Sequence, residues 1–108
     1  LVARGRRDGA AVEAKIRASV NHSPTTEIAV AARDRTGLFA DLAATLATLG
    51  ADVTDARVAT TEGLVLDVFQ IQDGAGAPYG LAEPARLTRL VSALETAATR
   101  DHPVPLPP

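Results

Sequence analysis

The chain has 108 residues, of which 46% are hydrophobic, and a formal net charge of −2. A chain of this length forms one domain, and its apolar fraction is typical of a globular protein. The slightly acidic charge gives no concentrated basic face, so we expect no nucleic-acid partner. The sequence contains no cysteine, which excludes disulfides, thiol catalysis and thiolate metal sites. It also has no apolar run near the roughly 20 residues that span a bilayer, so we expect no membrane partner and a cytoplasmic location.

The first half of the chain predicts two strands. Residues 1–9 are polar and broken by glycine, and we expect residues 1–11 to form a flexible lead-in or the end of a helix. From Val12 to Val20 apolar and polar residues alternate strictly, which is typical of a half-buried strand. After a turn that contains Pro24, residues 27–33 form a short apolar strand, and the two strands are expected to pair as an antiparallel hairpin.

A helix and a second pair of strands follow. Large apolar residues recur at helical spacing from Leu38 to Leu49, and Gly50 suits the end of that helix. The next strand covers about 52–60, with an irregularity near 54–55 because Val53 is out of phase with the residues after it. Strand 64–72 is apolar on both faces, so we expect both faces to be covered.

Two polar features of this region have structural interpretations. Asp67, within the apolar strand, is expected to pair with Arg57 across the hairpin rather than to act in catalysis. Residues 73–80 are rich in glycine, but position 79 is a tyrosine where a dinucleotide-binding pattern needs glycine. We therefore interpret this segment as a connection and not as a phosphate loop.

The C-terminal part predicts one more helix and a tail. Pro84 suits the first turn of a helix that extends to about Arg100. Its apolar stripe consists of Leu87, Leu90, Val91, Leu94 and Ala98. Residues 102–108 are rich in proline, and we interpret them as a linker, with the folded domain covering residues 12–101.

The element order after the first strand is β-α-β-β-α, which predicts an α+β fold with both helices on one face of an antiparallel sheet. A ferredoxin-like fold would end with a further strand beside strand 27–33, whereas this chain continues into prolines. We therefore expect the extra N-terminal strand, about 12–20, to pair with strand 27–33 in place of the final strand.

The segment from Arg33 to Phe39 is the best candidate for a small-molecule site. It ends one strand and opens a helix, and Gly37 permits a backbone conformation that other residues resist. The free N–H groups of the first helical turn point out of this corner, which suits a carboxylate or another anion.

The sequence Arg-Asp-Arg-Thr-Gly-Leu-Phe at 33–39, with Leu-Gly-Ala-Asp-Val at 49–53, resembles an ACT domain, a small amino-acid-sensing module. The resemblance covers about residues 27–100 and implies a ferredoxin-like fold. Two positions depart from the family pattern: Thr36 replaces the usual proline, and Asp52 replaces the commoner asparagine. Carried over by position, the ligand would lie between Asp34 and Asp52, against the backbone of Arg35, Thr36, Gly37 and Leu38.

More narrowly, residues 60–63 and 66–73 are similar to the first ACT domain of uridylyltransferase/uridylyl-removing enzymes, which modify the PII nitrogen-signalling protein. This implies a regulatory domain that is not catalytic, binds no cofactor and senses an amino acid, with glutamine as the first candidate. It also implies a parent chain with nucleotidyltransferase and hydrolase activity, the PII protein as a partner of that parent, and another ACT domain beside this one, in cis or as a homodimer.

Two other classes of function suit the same architecture. The chain could be a dimerisation or interdomain packing module without a ligand. An enzyme or RNA binder is disfavoured. RNA recognition needs exposed aromatic residues on the central strands, and Phe69 is the single aromatic residue there. Acyl-phosphate hydrolysis would need an arginine and asparagine pair, and the only asparagine is Asn21 in a turn. His22 and His102 have no spaced partner ligands, so we expect no metal site.

Overall fold

The structure, a computed structural model, describes the backbone of residues 2–7 and the whole of residues 10–17 and 23–100. In chain order the elements are β1 (Val2–Arg7), β2 (Ala10–Arg17), β3 (Thr25–Arg33), α1 (Leu38–Thr48), β4 (Asp52–Thr61), β5 (Leu64–Gln72) and α2 (Pro84–Ala98). None of the helices among these residues is long and apolar enough to cross a membrane.

The strands form one sheet in the order β1-β2-β3-β5-β4, and every neighbouring pair is antiparallel. The predicted α+β, ferredoxin-like arrangement is confirmed, including the N-terminal strand that replaces a final strand. That strand, β2, lies beside β3 with Val12 opposite Val30. The predicted irregularity is also confirmed, since the register of β4 shifts between Val53 and Asp55.

The N-terminal lead-in differs from the expectation. Residues 2–7, expected to be flexible or helical, form strand β1, which pairs with β2 so that Gly5 lies opposite Val12. An edge strand of this kind carries arginines and a glycine without an apolar face, so hydrophobic periodicity does not reveal it. The end of the predicted strand at 18–20 and the predicted tail at 102–108 lie outside the described residues.

The core lies between one face of the sheet and the two helices. Alternate residues of the strands supply the sheet side of this core, and the predicted stripe of α2 supplies much of the helix side. The most completely buried apolar residues are Val12, Ala14, Ile28, Val30, Leu42, Leu46, Ile71, Leu90 and Leu94. The opposite face of the sheet is open, with Leu64 57% and Leu66 44% exposed. The expectation that both faces of strand 64–72 are covered is therefore wrong for the described part of the chain.

Two glycines with positive φ bound helix α1. Gly37, at φ 81°, precedes the first helical residue, and Gly50, at φ 77°, follows the last turn. The Gly50 N–H donates to the Ala47 carbonyl and the Ala51 N–H to the Leu46 carbonyl, which is the Schellman arrangement. The helix is thus held between two turns whose backbone conformation favours glycine.

The loop after β5, residues 73–83, packs against the C-terminal end of α1. The Tyr79 hydroxyl donates to the Leu49 carbonyl over 2.7 Å, and the Tyr79 carbonyl accepts from the Thr26 hydroxyl over 2.6 Å. Within the loop, the Asp73 carboxylate accepts the N–H groups of Ala75 and Ala77. These amides are already bonded, which supports the interpretation of the segment as a connection and not as a phosphate loop.

Candidate functional site

The β3–α1 corner, residues 34–40, begins where β3 passes the β4–β5 hairpin. The Asp34 N–H donates to the Gly63 carbonyl over 2.8 Å, which fixes the start of the corner against that hairpin. The first helical bond runs from the Asp41 N–H to the Gly37 carbonyl. The amides of Phe39 and Ala40 have no backbone acceptor among the described residues, and they carry the positive end of the helix dipole. This corner can therefore receive an anionic group such as an α-carboxylate.

The Arg35 side chain links the corner to helices α1 and α2. One of its guanidinium nitrogens donates to the Asp41 carboxylate over 2.7 Å and to the Ala97 carbonyl over 3.0 Å, and another donates to the Thr36 carbonyl over 3.1 Å. The Arg35 and Asp41 side chains are only 13% and 9% exposed. A charge-assisted pair in this setting orders both groups. The Arg35 side chain is thus engaged within the fold, and its backbone is the part that remains for a ligand.

The other residues of the corner offer mainly backbone. Asp34 and Thr36 are exposed, so their side chains can reach a ligand. The Leu38 side chain, by contrast, is 3% exposed and belongs to the core. The Leu38 N–H already donates to the Arg35 carbonyl over 3.2 Å, so these two backbone groups are engaged within the turn. The contribution of the backbone at 35–38 and of the Asp34 carboxylate to ligand binding stays a prediction.

Asp34 and Asp52 do not come together within one chain. Asp52 lies opposite Gln72, at one end of β5, whereas Asp34 is bonded to Gly63, just beyond the other end. The length of β5 separates them by roughly 25–30 Å at about 3.3 Å per residue. Strands β3 and β4 run parallel and are joined by the crossover helix α1, so the end of β3 lies at the same edge of the sheet as the end of β4. Asp34 follows the end of β3, whereas Asp52 is at the start of β4. The expectation that both acids flank one site of this chain is therefore wrong.

Asp67, expected from the sequence to pair with Arg57, is a buried carboxylate of β5. It lies in β5 between Val30 and Val58, and its side chain is 1% exposed on the face that the helices cover. Neither carboxylate oxygen has a hydrogen-bond partner among the described residues. Burial, and secondarily the negative charge of Asp34, raises the pKa of Asp67.

The predicted pair of Asp67 with Arg57 is wrong. Arg57 lies opposite Val68, the neighbour of Asp67, so its side chain points to the other face of the sheet. There it is mostly exposed and contacts the Asp55 carboxylate at 3.3 Å. Successive side chains of a strand point to opposite faces of the sheet, so a difference of one residue in register places the two charges on opposite faces.

Beside the corner, the edge of the sheet is accessible. All ten residues of β4 are exposed, and Val58, which faces the helix side, is 55% exposed. At the start of α1 the Phe39 ring, 44% exposed, stacks on Phe69 with centroids 5.7 Å apart. The first turn of α1 therefore lies next to an accessible part of the sheet that ends in the edge strand β4.

The described residues contain no group of three His, Cys, Asp or Glu side chains that could hold a metal ion. His22 and His102, considered as ligands from the sequence, lie outside the described residues.

Comparison with known proteins points to one group of enzymes. No family model matches the chain, and no solved structure matches it. A bifunctional uridylyltransferase/uridylyl-removing enzyme of Caulobacter vibrioides is 48% identical over 94 residues, which cover 86% of this chain and 10% of the enzyme. The enzyme of the same name from Phenylobacterium zucineum is 46% identical over 97 residues, covering 89% of this chain and 10% of the enzyme.

A third enzyme of this name, from Azospirillum brasilense, is 54% identical over 52 residues, or 47% of this chain and 6% of the enzyme. The two longer matches cover 86% and 89% of this chain, so they include β3 and the β3–α1 corner. The chain spans about a tenth of the length of the first two relatives, and over that span it is a homologue of one segment of the bifunctional uridylyltransferase/uridylyl-removing enzymes.

Proposed function

We propose that this chain is a regulatory ACT domain that binds an amino acid, with glutamine as the first candidate, at the β3–α1 corner. The observation that carries the proposal is the pair of amides at Phe39 and Ala40, which have no backbone acceptor among the described residues, in the same corner as the exposed residue Asp34. An α-carboxylate suits the amides, and an α-ammonium suits Asp34. Arg35 preorganises the corner, which lowers the cost of ordering it on binding.

A second domain of the same kind would complete this site. If two copies pair along their exposed β4 edges about a two-fold axis, the strands run antiparallel, and the start of one lies beside the end of the other. Asp52 of one copy then approaches the corner of its partner, where Asp34 stands. The ligand would thus lie between two domains and couple its binding to their geometry.

In this proposal the domain is not itself catalytic. It reports the amino acid to a parent chain that, like the named relatives, transfers and removes uridylyl groups, with the PII nitrogen-signalling protein as the parent's partner in the cytoplasm. The support for this wider role is the identity of 46–48% to enzymes of that name. The coupling free energy between ligand and catalysis would be about 1–3 kcal/mol, as in other allosteric proteins.

Titration calorimetry of the intact protein with glutamine and the other amino acids tests the binding. We expect saturable heat with glutamine and a loss of at least about tenfold in affinity for Asp34→Ala, because a charged partner of the ammonium is removed. Asp52→Ala should weaken binding similarly if paired domains form the site. Glu83→Gln, which removes one exposed negative charge near the start of α2, serves as the matched control.

A packing module without a ligand is the second candidate, and a specific observation favours it. Leu64 and Leu66 are 57% and 44% exposed on the open face of the sheet, next to the edge strand β4, whose outer side pairs with no other strand among the described residues. Exposed apolar faces and unpaired edges are typical of contact surfaces. Absence of heat with all twenty amino acids, together with self-association that Leu66→Lys abolishes, would favour this function over sensing.

A further inference from the structure

Asp67 has more hydrogen-bonding capacity than the fold uses. A carboxylate accepts several hydrogen bonds, and both oxygens of Asp67 lack a partner among the described residues although the side chain is 1% exposed. Burying an ionised group in this way is costly unless a donor meets it. Its neighbours across the sheet, Val30 and Val58, are apolar and supply none.

The position of Asp67 relates it to the β3–α1 corner. Phe69, the next residue on the same face of β5, carries the stacked ring of Phe39, so the first turn of α1 lies over this part of the sheet. Asp34 follows the end of β3, four residues beyond Val30, which lies opposite Asp67. The negative charge of Asp34 is the second cause, after burial, of the raised pKa of Asp67.

We propose that Asp67 reads the side chain of the bound amino acid, accepting the N–H bonds of a primary carboxamide and repelling a carboxylate. The inference rests on the proposed function and specifies its ligand. The α-carboxylate lies on the amides of the first turn, the α-ammonium on Asp34, and the side chain runs beneath α1 to Asp67.

The dimensions of glutamine suit this arrangement. Four residues along a strand place the backbones of Asp34 and Asp67 about 13 Å apart along the sheet. Four carbon atoms separate the two nitrogens of glutamine, and hydrogen bonds of about 2.9 Å at each end extend its reach toward both carboxylates. The Phe39 ring, which is 44% exposed and stacks on Phe69, marks the side from which the ligand would enter.

The chemistry gives a large difference between two ligands of equal size. Glutamine offers two N–H donors where glutamate offers a negative charge, and a buried carboxylate bonds the first and repels the second. A hydrogen bond to a charged group changes affinity by roughly 10- to 100-fold. We therefore expect the protein to prefer glutamine over glutamate by at least about tenfold.

Calorimetry on the intact protein and on Asp67→Asn, with glutamine and with glutamate, tests the inference. The asparagine side chain can donate to the carboxylate of glutamate, so the ratio of the two affinities should fall by about tenfold or more. Thr26→Val is the matched control, because it alters another buried polar side chain on the same face of the sheet, distant from the corner. It should leave the ratio unchanged.

A ligand series on the unaltered protein gives a second test that does not depend on a variant folding. The γ-methyl ester of glutamate has nearly the size of glutamine and no charge or N–H donor in its side chain. We expect it to bind at least about tenfold more weakly than glutamine. Glutamine binding with an unchanged affinity ratio in Asp67→Asn, or an ester that binds as well as glutamine, would overturn the role of Asp67. Absence of binding by every amino acid would instead overturn the proposed function.

Discussion

Two regions beneath α1 treat buried polar groups in opposite ways. Under the C-terminus of the helix, Thr26 is completely buried and its hydroxyl donates to the Tyr79 carbonyl, while the Tyr79 hydroxyl donates to Leu49. Under the N-terminus, Asp67 is equally buried, and its carboxylate has no partner among the described residues. In the first region the buried polar groups are hydrogen-bonded and stabilise the fold. In the second, the Asp67 carboxylate can still accept hydrogen bonds from a ligand, and its burial without a partner lowers the stability of the protein.

The difference extends to how each region is covered. At the C-terminal end, the Arg86 guanidinium lies 4.6 Å from the centre of the Tyr79 ring and also donates to Leu49. At the N-terminal end, the cover is Phe39, whose ring is 44% exposed, and the adjacent strand β4 is exposed along its length. A site for a ligand is expected where the cover is thin and the polar groups are not yet bonded.

The largest expected effect concerns the hydrogen-bonded region under the C-terminus of α1. Tyr79→Ala should lower the free energy of unfolding by about 3–4 kcal/mol, because it empties a buried aromatic site and leaves the Leu49 carbonyl without the hydroxyl donor. Denaturant unfolding followed by circular dichroism measures the change. Tyr79→Phe retains the ring and should cost about 1 kcal/mol. Equal losses in the two variants would mean that the hydroxyl, and not the packing of the ring, dominates in this region.

The second prediction concerns the region without bonds and has the opposite sign. Asp67→Asn should raise the free energy of unfolding at neutral pH by about 1 kcal/mol, because it removes a buried charge without a partner. The raised pKa of Asp67 means that the folded state binds a proton more readily than the unfolded state, whose group titrates near 3.8. The buried charge of Asp67 lowers the free energy of unfolding at neutral pH, and this loss disappears as the pH falls through the raised pKa toward 3.8, because the folded protein then binds a proton at Asp67.

Unfolding midpoints of the wild-type protein and Asp67→Asn over the acidic to neutral range check this prediction. The advantage of the variant should be greatest at neutral pH and should shrink steadily on acidification. A constant difference at every pH would show that the charge of Asp67 is satisfied in solution, and the contrast between the two regions would then lose its basis.

The smallest expected effect is that of Arg57→Ala. Its guanidinium is exposed and pairs with Asp55 on the open face of the sheet, so the free energy of unfolding should change by less than about 0.5 kcal/mol. The titration curve of the Asp67 carboxyl, measured by its carbon-13 chemical shift against pH, should be the same in this variant as in the wild-type protein. A shifted titration of Asp67 would indicate that the two charges interact despite lying on opposite faces.

Local patterns determined most of the elements. The alternation around Val12, the helical spacing after Leu38 and the stripe of α2 all correspond to elements of the structure, because each is a direct consequence of side-chain period. The phase break at Val53 similarly indicated the irregularity of β4. The exception was β1, because an edge strand rich in arginine has no apolar period to detect.

The sequence by itself determined the elements other than β1, their order and the position of the β3–α1 corner, since these depend on neighbours within one turn or one hairpin. Only the tertiary structure decided that Asp34 and Asp52 lie at opposite ends of β5, that Arg57 and Asp67 lie on opposite faces, and that Asp67 has no partner among the described residues. Strand direction and register fix such relations, and both arise from packing between segments far apart in the chain.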